Sequence, residues 1–138
     1  MKKYIYSLMF LLMAAVSVGL ASCGDDDEPK SADIVGTWAL DTSVDDNFAL
    51  FFQFTKDGKF HEVQTSIVNG ETILRDVFHG TYRVSGYKLF ITYIFDNENE
   101  TVECDYSVQG DKLTLYIDGV EDPATFTRVK NSVIEPYL

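Results

Sequence analysis

The sequence predicts an all-β domain, a small eight-stranded up-and-down antiparallel barrel, and three observations carry that expectation. From Asp33 onward no window sustains the i, i+3, i+4 apolar spacing of an amphipathic helix. Apolar and polar residues alternate instead, in runs separated by Gly, Asp or Asn. The connections are short, which favours consecutive hairpins over the long crossings of a Greek key, and closing eight such strands removes the exposed edges. A β-sandwich is the alternative arrangement of the same strands, because one sequence reports the existence of strands better than their order. With 138 residues, 46% hydrophobic and 14% aromatic, the chain has enough apolar surface for one packed domain and is no disordered tail, rod or coiled coil. A formal charge of -11, from 22 acidic against 11 basic residues, argues against nucleic acid as a partner, since phosphate binding draws on clustered Lys and Arg.

Taken in order, strands are expected over residues 38–42, 49–55, 59–68, 72–85 (with Gly80 as a candidate break) and 88–95. Turns at Lys56-Asp57-Gly58, Asn69-Gly70-Glu71, Ser85-Gly86 and 96–99 carry the residues that type I turns or positive φ require. The sixth strand alternates most cleanly: Val102, Cys104, Tyr106 and Val108 face the core, and Thr101, Glu103, Asp105 and Ser107 face water. After Gln109-Gly110-Asp111 the seventh turns Leu113, Leu115 and Ile117 inward and Thr114, Tyr116 and Asp118 outward. The eighth puts Ala124, Phe126 and Arg128 on one face and Thr125, Thr127 and Val129 on the other. Arg128 is the awkward member of that set, because an inward guanidinium is costly unless its charge is satisfied.

Ahead of the barrel lies an export signal: Met1-Lys2-Lys3 is positive, residues 4–20 are almost wholly apolar, and small residues follow before a cysteine. Leu20-Ala21-Ser22-Cys23 looks like a bacterial lipobox, in which the Cys23 thiol is acylated and becomes the new N-terminus. Several acyl chains, at about 0.8 kcal/mol per buried CH2, would hold the protein stably on a membrane. Asp25, Asp26, Asp27 and Glu28 then read as a solvated tether, and they resemble the export signal of Bacteroidetes-type lipoproteins displayed on the outer face of the outer membrane. The expected organisation is a signal peptide over 1–22, an acidic tether over 23–32 and the barrel over 33–138. With Cys23 lipidated, Cys104 has no intramolecular partner and no disulfide framework is expected.

Gly36-Thr37-Trp38 at the entrance to the first strand, with Arg128 in the last, resembles a lipocalin. In that family the glycine lets the entering chain pass close under the barrel, the tryptophan plugs the closed end and the arginine lies across the indole. Stacking on Trp38 and hydrogen bonds to carbonyls would then satisfy Arg128. More closely, Gly36-Thr37-Trp38, Phe54-Thr55-Lys56-Asp57-Gly58-Lys59-Phe60, Gly80-Thr81-Tyr82, Leu89 with Ile91, and Gly110-Asp111-Lys112-Leu113-Thr114-Leu115 are together similar to the lipocalin-like domain of Bacteroidetes lipoproteins. Against the family pattern, the region is short, no helix pattern follows Lys130 and there is no cysteine pair. The resemblance implies a binder of a small apolar molecule, for which Phe52, Phe54, Phe78, Tyr82, Tyr93 and Tyr106 are the candidate lining residues.

No nucleophile-elbow, phosphate-loop, zinc-helix or dinucleotide signature occurs, so no enzyme and no cofactor is expected. His61 and His79 sit on neighbouring strands beside Glu62, yet His79 shares parity with Arg75 and Arg83 and is expected in water, so no metal is assigned. Asp45-Asp46-Asn47 and residues 96–100 lack the spacing of a calcium loop and read as solvated turns. Cys104, on an apolar face, reads as a structural thiol. The alternative to a ligand binder is an accessory module that binds another surface protein or a glycan through its exterior. An exposed apolar row formed by Phe51, Ile73, Val77 and Phe90 would favour that role.

Overall fold

The computed structural model describes residues 31–41 and 47–138. The segments expected as a signal peptide and, as far as Lys30, an acidic tether, with Cys23 between them, and the Asp45-Asp46 pair lie outside the described residues. A single helical turn, α1 (Ser31–Ile34), leads into eight strands: β1 (Gly36–Leu40), β2 (Phe48–Phe54), β3 (Lys59–Val68), β4 (Glu71–Ser85), β5 (Lys88–Ile94), β6 (Asn99–Gln109), β7 (Lys112–Tyr116) and β8 (Ala124–Val129). Each strand pairs antiparallel with the next and β8 returns to β1, so the sheet closes into an up-and-down barrel. The sandwich alternative is thereby excluded. Two 3-10 turns, Asn131–Val133 and Glu135–Tyr137, end the chain and bury Ile134.

Alternation decides which side chains fill the barrel. Leu50, Phe52 and Phe54 of β2 stand opposite Gln64, Glu62 and Phe60 of β3, and all six are buried. Leu89, Ile91 and Tyr93 of β5, Cys104 and Tyr106 of β6, Leu113 and Leu115 of β7, and Ala124 and Phe126 of β8 complete the interior. Burying rings of this size contributes about 1.5–3 kcal/mol each. One end of the barrel is packed ring on ring: Phe52 stacks on Phe126 at 5.0 Å, Phe60 meets Phe52 and Phe54 at 5.2 Å each, and Phe54 meets Tyr82 at 5.0 Å.

Gly80 does not break β4, which runs through it to Ser85. It marks instead the place where β4 changes partners. A Cβ on Gly80 would stand 1.9 Å from the Thr92 carbonyl oxygen, so only glycine permits the close approach of β4 to β5 there. From Gly80 to Ser85 β4 pairs with β5, whereas its Glu71–His79 half pairs with β3 alone. A bulge helps it diverge: Gln64 faces Asp76 but Thr65 faces Leu74, which leaves Arg75 as the extra residue. The β3–β4 hairpin therefore rises beyond the rest of the barrel, with Ile67, Val68, Ile73 and Leu74 each more than 40% exposed.

Candidate functional site

The closed end is built on β1 and β8, which set Trp38 opposite Arg128. Trp38 is fully buried, its Nε1 donates to the Ile34 carbonyl at 2.8 Å, and the Arg128 guanidinium lies 4.1 Å from the ring centre. Arg128 also donates from Nη1 to the Val35 carbonyl at 2.7 Å, from Nη2 to the Asp33 carbonyl at 3.0 Å and from Nε to Asp111 Oδ1 at 3.2 Å. These carbonyls belong to the segment that passes beneath the barrel, and Gly36 makes the passage with φ +138°. A Cβ at Gly36 would lie 2.4 Å from Arg128 Nη1. The charge is thus satisfied by an aromatic face and backbone oxygens, and this floor admits no ligand.

Chemistry gathers on the other side of the ring stack. Glu62 points into the barrel and is completely buried, yet no cation pairs with it among the described residues. Tyr93 Oη donates to Glu62 Oε1 at 2.7 Å and Gln64 Nε2 donates to Oε2 at 2.9 Å. Burial pushes the Glu62 carboxyl up to about 7; the two hydrogen bonds pull it back only partly, and the charge of Asp76 adds to the rise. The same burial, with Glu62 beside it, holds Tyr93 well above the ordinary phenol range, so it remains a donor. Phe60 closes over Tyr93 from the packed end at 5.5 Å. On the open side Phe78 lies 6.2 Å from Tyr93, and Phe95 stacks parallel to Tyr93 at 6.3 Å.

The parting of β4 from β5 leaves a groove of about 290 Å³ against this cluster, lined by Asp76, Phe78, Ile94, Phe95 and their neighbours. Small-molecule sites combine an apolar wall with a few placed polar groups, and here the wall is Phe78 and Phe95, with buried Tyr93 against both rings and the Glu62 carboxyl hydrogen-bonded to Tyr93 behind it. A model of the family described as "Lipocalin-like domain" matches residues 34–115, more than half of the chain. The chain belongs to that family. Among solved structures the lipocalin-like barrel resembles a lipocalin-like protein from Bacteroides uniformis, with a TM-score of 0.50 and 16% identity, over 70% of this chain and 99% of that one. No curated protein matches the sequence.

Within the lipocalin-like barrel the six aromatic residues singled out from the sequence separate into two groups. Phe52, Phe54 and Tyr106 are 1–2% exposed in the packed interior, and Tyr82 belongs to the closed half, where its hydroxyl donates to the Thr55 carbonyl at 2.6 Å. Phe78 lines the groove, and Tyr93 is buried behind it. Gly36, Trp38 and Arg128 meet at the floor, as described. Cys104 lies inside with its thiol pushed up to about 12 by burial, which removes thiolate reactivity. Phe51 and Val77 flank fully buried Val63 in register on the outer face, Phe90 lies beneath the Arg83 guanidinium at 3.8 Å, and of that row only Ile73 is exposed. Glu62 escaped the sequence reading, which treated it only as a neighbour of His61. Its parity with Phe60 on β3 is the signal that places it inside.

Proposed function

We propose that this chain is a lipid-anchored, non-catalytic envelope lipoprotein whose lipocalin-like domain takes up a small, mainly apolar molecule between β4 and β5. The observation that carries the reading is the aromatic groove with a hydrogen-bonded carboxyl buried behind it. The closed half is packed ring on ring, and the β4–β5 groove is the cavity that abuts the Tyr93–Glu62 cluster, so the molecule is small and enters beside Phe78 and Phe95. The Leu20-Ala21-Ser22-Cys23 motif supports anchoring through Cys23, and the acids that follow support display on the outer face of the outer membrane. A second reading, an accessory module that docks on a surface protein, is favoured by the projecting apolar tip at Ile67, Val68, Ile73 and Leu74.

Native mass spectrometry of the protein extracted in detergent from its host membrane tests the first reading. The expected result is an acylated Cys23 and a non-covalent adduct that Phe78→Ala weakens. An acylated protein that carries no adduct and does not take up an apolar fluorescent probe would refute ligand binding. Unmodified Cys23 would refute the anchor.

A further inference from the structure

His61 and His79 face each other across β3 and β4, on the outer wall of the barrel. Their Nδ1 atoms stand 2.8 Å apart and their rings lie 5.0 Å centre to centre at 82°. His79 is exposed and His61 half-buried, so solvent reaches the pair. We propose that His61 and His79 form a two-histidine chelate for a divalent transition metal of tetragonal preference, Cu(II) or Ni(II), on the outside of the barrel.

Two imidazole nitrogens bound to one ion at about 2.0–2.1 Å stand about 2.9 Å apart when the angle at the metal is a right angle, and about 3.3 Å apart at the tetrahedral angle. The 2.8 Å separation, with ring centres 5.0 Å apart, is that of two rings meeting nitrogen to nitrogen in a hydrogen bond, so each ring must turn about its χ angles before both lone pairs meet one ion; a pair of imidazoles holds Cu(II) and Ni(II) well by ligand type. Both side chains rise from paired positions on continuous strands, a rigid base that fixes their spacing before any ion arrives.

At present one Nδ1–H points at the other Nδ1. Binding requires that proton to move through solvent to Nε2 of its own ring, so that both imidazoles stay neutral and both Nδ1 lone pairs converge on the ion. The metal gains two nitrogen ligands, loses two waters, and no electron moves. No third His, Cys, Asp or Glu joins the pair among the described residues, so the remaining positions belong to water or to a small ligand carried by the ion.

The test is calorimetric titration of the untagged full chain in detergent with Ni(II), and electron paramagnetic resonance with Cu(II), for wild type, His61→Gln, His79→Gln and the double variant. The expected result is one tight site per chain with two equatorial nitrogens, at least about tenfold weaker affinity in each single variant, and loss of the site in the double variant. His79 is exposed and His61 half-buried, so melting without metal should change only slightly, and added Ni(II) should raise the melting temperature of wild type alone. Equal Ni(II) affinity in wild type and the double variant, or a Cu(II) spectrum with a single nitrogen, would overturn the proposal.

Discussion

Glu62→Gln should change how stability depends on pH, by an amount that follows from burial. The carboxyl has an ordinary value near 4.5 and is raised to about 7 in the fold. The folded state therefore binds its proton more tightly than the unfolded state does. Below about 4.5 both states are protonated and the linkage is silent. Between 4.5 and 7 the native state holds more protons, so stability falls as pH rises, and above 7 both states are ionised and the loss is complete. A shift of this size corresponds to about 3 kcal/mol, and at about 4–8 °C per kcal/mol the change in melting temperature is roughly 12–24 °C for a domain of this size. The amide of the variant keeps an oxygen for Tyr93 or Gln64 and cannot ionise. The measurement is urea or thermal unfolding of wild type and Glu62→Gln at pH 5 and pH 8, followed by the fluorescence of Trp38, the single tryptophan. Taking the difference between the two proteins cancels the other titrating groups, including Asp41, whose hydrogen bonds with Lys112 and Thr127 hold it low despite partial burial. Wild type should gain about 2.5 kcal/mol relative to the variant on going from pH 8 to pH 5, the rest of the shift being released only below pH 5. Parallel curves would mean that water reaches the Glu62 carboxyl and that the polar end of the interior is already open.

Arg128→Ala should destabilise the domain by about 2–4 kcal/mol and shift Trp38 emission, because it removes a cation–π contact and two charge-assisted bonds to backbone carbonyls. Asp111→Ala should cost under about 0.5 kcal/mol, since that carboxylate is 78% exposed; equal effects of the two variants in denaturant titration would show that the surface ion pair, not the stack, holds Arg128. Gly80→Ala should cost about 3 kcal/mol or more, because its Cβ meets a backbone oxygen that cannot move without separating β4 from β5; near-native melting would mean that the two strands are held less closely than described.

Much of the barrel was legible because alternation is a local signal. On β6 the inward Cys104 and Tyr106 and outward Glu103 and Asp105 read directly from parity, as did Leu113, Leu115, Ala124 and Phe126. What stayed hidden depends on strand partners. Ser66 is followed by exposed Ile67 and Val68 because β3 there outruns the barrel, and only the Gln64/Thr65 register shift reveals that departure. Gly80 looked like a strand break because glycine weakens a strand; the reason for it, the approach of Thr92, lies 12 residues away on β5. Val63, Thr65 and Gln53 are buried on the outer face of the sheet, which alternation alone assigns to water. The chain end accounts for part of this, with Val133 and Tyr137 beside Thr65 and Asn131 accepting a bond from Thr37, itself the acceptor for Gln53.

The two halves of the interior answer different physical demands. The closed half satisfies every requirement of a stable core: rings at contact distance, one cation held by an indole and carbonyls, and a glycine where the chain passes beneath. The half toward the β4–β5 groove does not follow that logic. A carboxyl buried without a cation costs stability above pH 7, and a well-packed apolar side chain in its place commonly costs less. Glu62, Gln64 and Tyr93 form a connected network that a polar guest can extend, since each Glu62 oxygen accepts one bond and retains a lone pair. A guest with an apolar body against Phe78 and Phe95 and a hydrogen-bond donor at its tip would meet both surfaces. Such a donor would offset the desolvation that raises the Glu62 pKa, so uptake should return that pKa toward its ordinary value and couple ligand affinity to proton release.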